Sequence, residues 1–82
     1  MSGFHYVYIL VSTMPAGHYY VGLTTNLCER LGQHNRGEVP HTAACSRWEI
    51  KTAIAFRDRQ RAAAFERYLK SASGRAFAKR HL

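Results

Sequence analysis

The sequence predicts an α+β fold, a three-stranded antiparallel sheet flanked by helices in the order β-β-α-β-α-α. Three observations lead there. Two runs rich in aromatic and β-branched residues, 4–11 and 19–23, flank a stretch containing Pro15 and Gly17. A third run, 47–56, alternates apolar and polar residues. Two later segments, opening after Asn26 and Asp58, repeat leucine, alanine or phenylalanine at helical spacing.

Taken in order, the first run reads as a strand that enters a hairpin loop, "STMPAGH", and pairs antiparallel with the second. Alternation places Tyr6, Tyr8 and Leu10 on one face of the first strand and Tyr20, Gly22 and Thr24 on one face of the second; register decides whether the faces coincide. Thr24, Thr25 and Asn26 are candidate caps for a short helix in which Leu27 and Leu31 lie one turn apart and Gly37 stops the pattern. That helix carries Arg30 and His34 four residues apart on one face. "GEVPHTAACSR" has no periodicity and reads as a loop. In the third strand Trp48, Ile50, Thr52, Ile54 and Phe56 oppose Glu49, Lys51 and Ala53. Asp58 caps a helix with Ala62, Phe65 and Leu69 on its apolar stripe and Glu66 against that stripe. Ser73 and Gly74 are expected to break it, and "GRAFAKRHL" to add a short final turn.

Eighty-two residues suit one domain, 1–82, with any site in a shallow groove rather than a deep cavity. Twelve lysines and arginines against five acidic residues give a formal charge of +7, which favours a polyanionic partner, nucleic acid first. The eight basic residues Arg57, Arg59, Arg61, Arg67, Lys70, Arg75, Lys79 and Arg80 concentrate that charge in the C-terminal half. Cys28 and Cys45 form no CxxC pair, which fits buried thiols in a reducing, cytoplasmic compartment. With His34 and His41 they match no common zinc spacing. The N-terminal apolar stretch is too short and too tyrosine-rich for a signal peptide or membrane span.

Strands containing "YVYIL" and "YYVGLT", the helix "ERLGQHNRG" and the downstream "FERYLKSASG" together resemble the GIY-YIG nuclease superfamily over nearly the whole chain. The likeness is to its small stand-alone members, related to the N-terminal nuclease domain of the excinuclease subunit UvrC. The two family triplets correspond to Tyr6-Val7-Tyr8, whose glycine is replaced, and Tyr20-Val21-Gly22. The family's helix arginine corresponds to Arg30, the polar residue one turn later to His34, and the metal-binding glutamate to Glu66. An asparagine that several members carry beyond the glutamate is absent, with Ser71 or Ser73 near its place.

The resemblance implies hydrolysis of phosphodiester bonds, in DNA before RNA, with one Mg²⁺ or Mn²⁺ ion on Glu66 and no small-molecule cofactor. Such chemistry needs a base for the attacking water, positive charge on the phosphoryl oxygens and help for the leaving alkoxide. Arg30 offers a planar fork of donors to phosphate. Tyr8 and Tyr20 are both candidate bases, His34 a proton relay or phosphate ligand, Gly22 room for the phosphate, and His41 an additional polar contact. The alternative is a nucleic-acid-binding module of the same fold without useful turnover. Taken singly, each residue also has an ordinary role: a rim tyrosine, a solvated arginine, a Glu66–Lys70 helix pair.

Overall fold

The computed structural model describes residues 3–82. Strands β1 (His5–Met14), β2 (Ala16–Thr24) and β3 (Ser46–Phe56) form one antiparallel sheet in the order β2-β1-β3, with helices α1 (Leu27–Asn35), α2 (Arg59–Leu69) and α3 (Ala72–His81). A short 3₁₀ turn, Pro40–Thr42, joins α1 to β3. The expected fold class and element order are those observed. Among the described residues no helix is long and apolar enough to cross a membrane.

The hairpin strands run further than their apolar cores, through Ser12–Met14 and from Ala16, so the expected loop contracts to a turn at Pro15. Backbone pairing there compensates for the polar side chains. The register aligns Tyr8 with Gly22 and Leu10 with Tyr20, which brings the two tyrosine-bearing faces onto the same side of the sheet.

Because β1 is central, its alternate residues feed two different layers. Val7 and Ile9 pack with Ala62 and Leu69 of α2, joined by Phe65 and by Phe77 of α3. Tyr8 and Leu10 pack with Trp48, Tyr20, Leu27 and Leu31 on the α1 side. The single alternating face expected for β3 is corrected by a bulge: Ile9 pairs with Thr52 but Leu10 with Ile50, so Lys51 is extra. Trp48 and Ile50 therefore follow Ser12 and Leu10 to the α1 side, whereas Thr52, Ile54 and Phe56 follow Ile9, Val7 and His5 to the other.

Helix ends follow side-chain chemistry. Asn26 caps α1, its Oδ1 accepting from the Glu29 amide at 3.0 Å, and Asp58 caps α2 through the Gln60 amide at 2.9 Å. The expected break at Ser73 and Gly74 lies instead at Lys70–Ser71. Ser71 caps α3, accepting from the Gly74 amide at 3.1 Å, and α3 is longer than the turn expected. Gly74 sits inside α3, where a Cβ would stand 1.7 Å from the Tyr68 carbonyl oxygen. It permits a close helix–helix corner instead of ending a helix. The expectation of two buried thiols is also corrected: Cys28 lies exposed beside the leucine stripe and Cys45 is partly buried, both free.

Candidate active site

Tyr8 projects from the middle strand toward α1 and is only 1% exposed. Its cross-strand partner makes this possible, since a Cβ on Gly22 would meet Tyr8 Oη at 2.3 Å. The room that Gly22 leaves is thus filled by the phenol rather than left open to a ligand.

The capped helix α1 presents two side chains to that phenol, one turn apart. Arg30 Nε donates to Tyr8 Oη at 3.3 Å, and its Nη1 donates to Gln33 Oε1 at 2.8 Å, which braces the guanidinium. His34 Nε2 lies 3.0 Å from Tyr8 Oη. On the other side of the imidazole, Nδ1 lies 2.8 Å from Thr42 Oγ1, and the Thr42 hydroxyl donates to the Val39 carbonyl at 3.2 Å. Tyr20 packs its ring on His34 with centroids 4.7 Å apart and stands 6.3 Å from the Tyr8 ring.

Donor and acceptor counting fixes the protons. Arg30 can only donate, so the buried phenol's own proton has His34 Nε2 as its acceptor. Nδ1 then carries the imidazole proton and gives it to Thr42 Oγ1, whose proton goes to Val39. The hydrogen bonds run Arg30 to Tyr8 to His34 to Thr42 to the Val39 carbonyl. Burial, reinforced by the Arg30 charge, holds the His34 pKa below the usual imidazole value, so the ring is neutral at neutral pH. Burial also raises the Tyr8 phenol above its usual value. The Arg30 hydrogen bond and charge oppose this rise, and the nearby Tyr20 and Glu66 charges add to it. Arg30 is itself stabilised as a cation, chiefly by its bond to Tyr8.

The sequence pointed to Tyr8, Tyr20, Arg30 and His34, and the structure brings these four together. Thr42, Asn35 and Trp48 were missed. The Trp48 indole donates to the Thr42 carbonyl at 3.3 Å. Asn35 brackets the Trp48 backbone, accepting from its amide at 2.6 Å and donating to its carbonyl at 3.1 Å. Pro40 at the first position of the 3₁₀ turn was the one sequence signal that residues 40–42 are ordered. His41 lies on the exposed side of that turn; its neighbour Thr42 is the residue that reaches His34.

Glu66 belongs to α2, on the opposite layer of the sheet from Tyr8, and is not brought into contact with Tyr8, Tyr20, Arg30 or His34. Its side chain is 18% exposed and Oε2 holds Lys70 Nζ at 2.6 Å. Ser71, near the place of the absent asparagine, is used as the α3 cap and donates to the Tyr68 carbonyl at 2.6 Å. Among the described residues no group of three or more histidine, cysteine, aspartate or glutamate side chains is placed to hold a metal. A lone carboxylate still suits Mg²⁺, which keeps most of its waters and takes one or two protein oxygens beside substrate phosphate. Glu66 is the carboxylate that the resemblance assigns to that role, and in this structure Lys70 holds it.

The family model for the GIY-YIG catalytic domain matches residues 4–80. No curated protein and no solved structure matches the chain. With that match spanning both tyrosine strands, α1 and the Glu66 helix, the chain belongs to the GIY-YIG catalytic domain family, a family of nucleases.

Proposed function

We propose that this protein is a divalent-metal-dependent nuclease that hydrolyses phosphodiester bonds in DNA. The observation that carries the reading is the Tyr8 phenol, held between a guanidinium and the free lone pair of a neutral imidazole. A protonated phenol is a poor base by itself. Here its proton has somewhere to go.

As water attacks phosphorus, Tyr8 Oη takes the water's proton while its own passes to His34 Nε2, giving an imidazolium whose Nδ1–H stays on Thr42. A new P–O bond forms as the bond to the leaving oxygen breaks. Arg30 places positive charge beside the group where negative charge develops. Thr42 keeps Nε2 bare and aimed at Tyr8, the orienting role that a third residue plays in nucleophile–base pairs. Glu66 would hold one Mg²⁺ or Mn²⁺, which when bound supplies charge stabilisation to the leaving oxygen. Tyr20, half-buried on the edge strand, shields the imidazole.

One contact favours a second reading, nucleic-acid binding without useful turnover: Lys70 already neutralises Glu66. Labelled DNA incubated with Mg²⁺, Mn²⁺ or chelator separates the two. Cutting that needs metal and disappears in Glu66→Gln, with DNA affinity retained, is the expected result. Binding without cutting under every metal condition would establish the module.

A further inference from the structure

On the opposite side of β2 from Tyr8 and His34 lies a groove of about 710 Å³, between the sheet and the ends of α2 and α3. Its floor is apolar: Val21 and Ala78 are partly exposed there, over the nearly buried Ile9 and Leu69. Tyr19 borders it and is 62% exposed on the edge strand. Around it stand Lys51, Arg75 and Lys79, all exposed, with no acidic residue in the lining. None of these three cations makes an ion pair among the described residues. Lys51 is the extra residue of the β3 bulge, and a bulge is a device that re-aims a side chain.

The groove adjoins the candidate active site across the edge strand. Tyr20 lines the groove and packs on His34; Lys70 lines it and holds Glu66. Resting on the nuclease reading above, we propose that this groove takes an unpaired strand of nucleic acid continuous with the scissile phosphate, bases on Tyr19 and the apolar floor, phosphates on Lys51, Arg75 and Lys79. Cations alone would serve a duplex equally well. The apolar floor and the exposed tyrosine are what distinguish the two, because a paired base has no free face to stack or bury, whereas an unpaired one does. Continuity with the site favours nucleic acid over an acidic peptide, which would have no reason to end at Tyr20 and Glu66.

Fluorescence anisotropy with a labelled single-stranded DNA of about 12 nucleotides, and with its duplex, tests this in chelator, where no cutting intervenes. The single strand is expected to bind the wild-type chain more tightly than the duplex at equal salt. Tyr19→Ala should weaken single-strand binding about fivefold or more while leaving the salt slope unchanged. Arg75→Ala with Lys79→Ala should weaken it about tenfold and flatten the slope of log K against log salt by about 1.4. All three positions are exposed, and circular dichroism of each variant is the control for folding. Equal affinity for both DNA forms, or single-strand binding indifferent to these substitutions, overturns the proposal, as does displacement of the oligonucleotide by an acidic peptide of equal charge. Failure here with metal-dependent cutting intact leaves the nuclease reading standing; Tyr19-dependent single-strand binding without any cutting removes hydrolysis and keeps the groove.

Discussion

The two faces of the sheet share a central strand and have opposite characters. On the α2–α3 side, Val7, Ile9, Ala62 and Leu69 form a buried apolar layer, joined by Phe56, Phe65 and Phe77. On the α1 side, Tyr8, His34 and Thr42 are as deeply buried, but they are polar, and each buried donor and acceptor among them has a partner. Burial on the first face stabilises through area removed from water. On the second it stabilises little, since hydrogen bonds to water are exchanged for hydrogen bonds within the protein, but it fixes proton positions. The contrast separates the face that carries the stability from the face that carries the proposed chemistry.

The largest stability effect is therefore expected on the apolar face. Leu69→Ala, at a position 2% exposed, should cost about 2–5 kcal/mol in urea unfolding, through lost burial and the cavity left behind. A cost below that of a surface substitution would mean the layer is not the core. Thr42→Val keeps the shape but strands His34 Nδ1–H, and should cost about 1–3 kcal/mol. It should also shift the pH profile of cleavage by releasing the imidazole tautomer, a readout that packing loss alone would not move.

The pH dependence of stability sharpens the comparison at lower amplitude. His34 has a lower pKa folded than unfolded, so the unfolded chain binds the extra proton more readily. Its contribution is complete above the unfolded value of about 6.5 and is lost as pH falls from there through the lowered folded value. The urea midpoint should drop across that window, and His34→Gln should flatten the drop. An unchanged slope would mean that His34 is not buried as a neutral ring.

Much of this contrast was legible in the sequence. Alternation in β1 and β2 gave the faces, and Arg30 and His34 at i,i+4 gave a pair of polar groups on one side of α1, because both patterns are local periodicities. The pairing of Tyr8 with Gly22 required a register that the turn at Pro15 sets, and no periodicity reports it. The Lys51 bulge was invisible because an uninterrupted apolar–polar alternation reads as a regular strand, although a single extra residue moves Trp48 and Phe56 to opposite faces. Thr42 was missed for a related reason. Its value lies in a contact eight residues from His34 across a 3₁₀ turn, where neither helical nor strand spacing applies.

Single-turnover cleavage of labelled DNA by wild type and Tyr8→Phe, with Mg²⁺ and saturating enzyme, tests the central claim most directly. With the hydroxyl gone, the proton path from water to His34 is cut, and the rate should fall about 10²–10⁴-fold with DNA affinity unchanged. A Tyr8→Phe protein that cuts as fast as wild type would contradict the assignment of the buried phenol as the group that takes the water's proton.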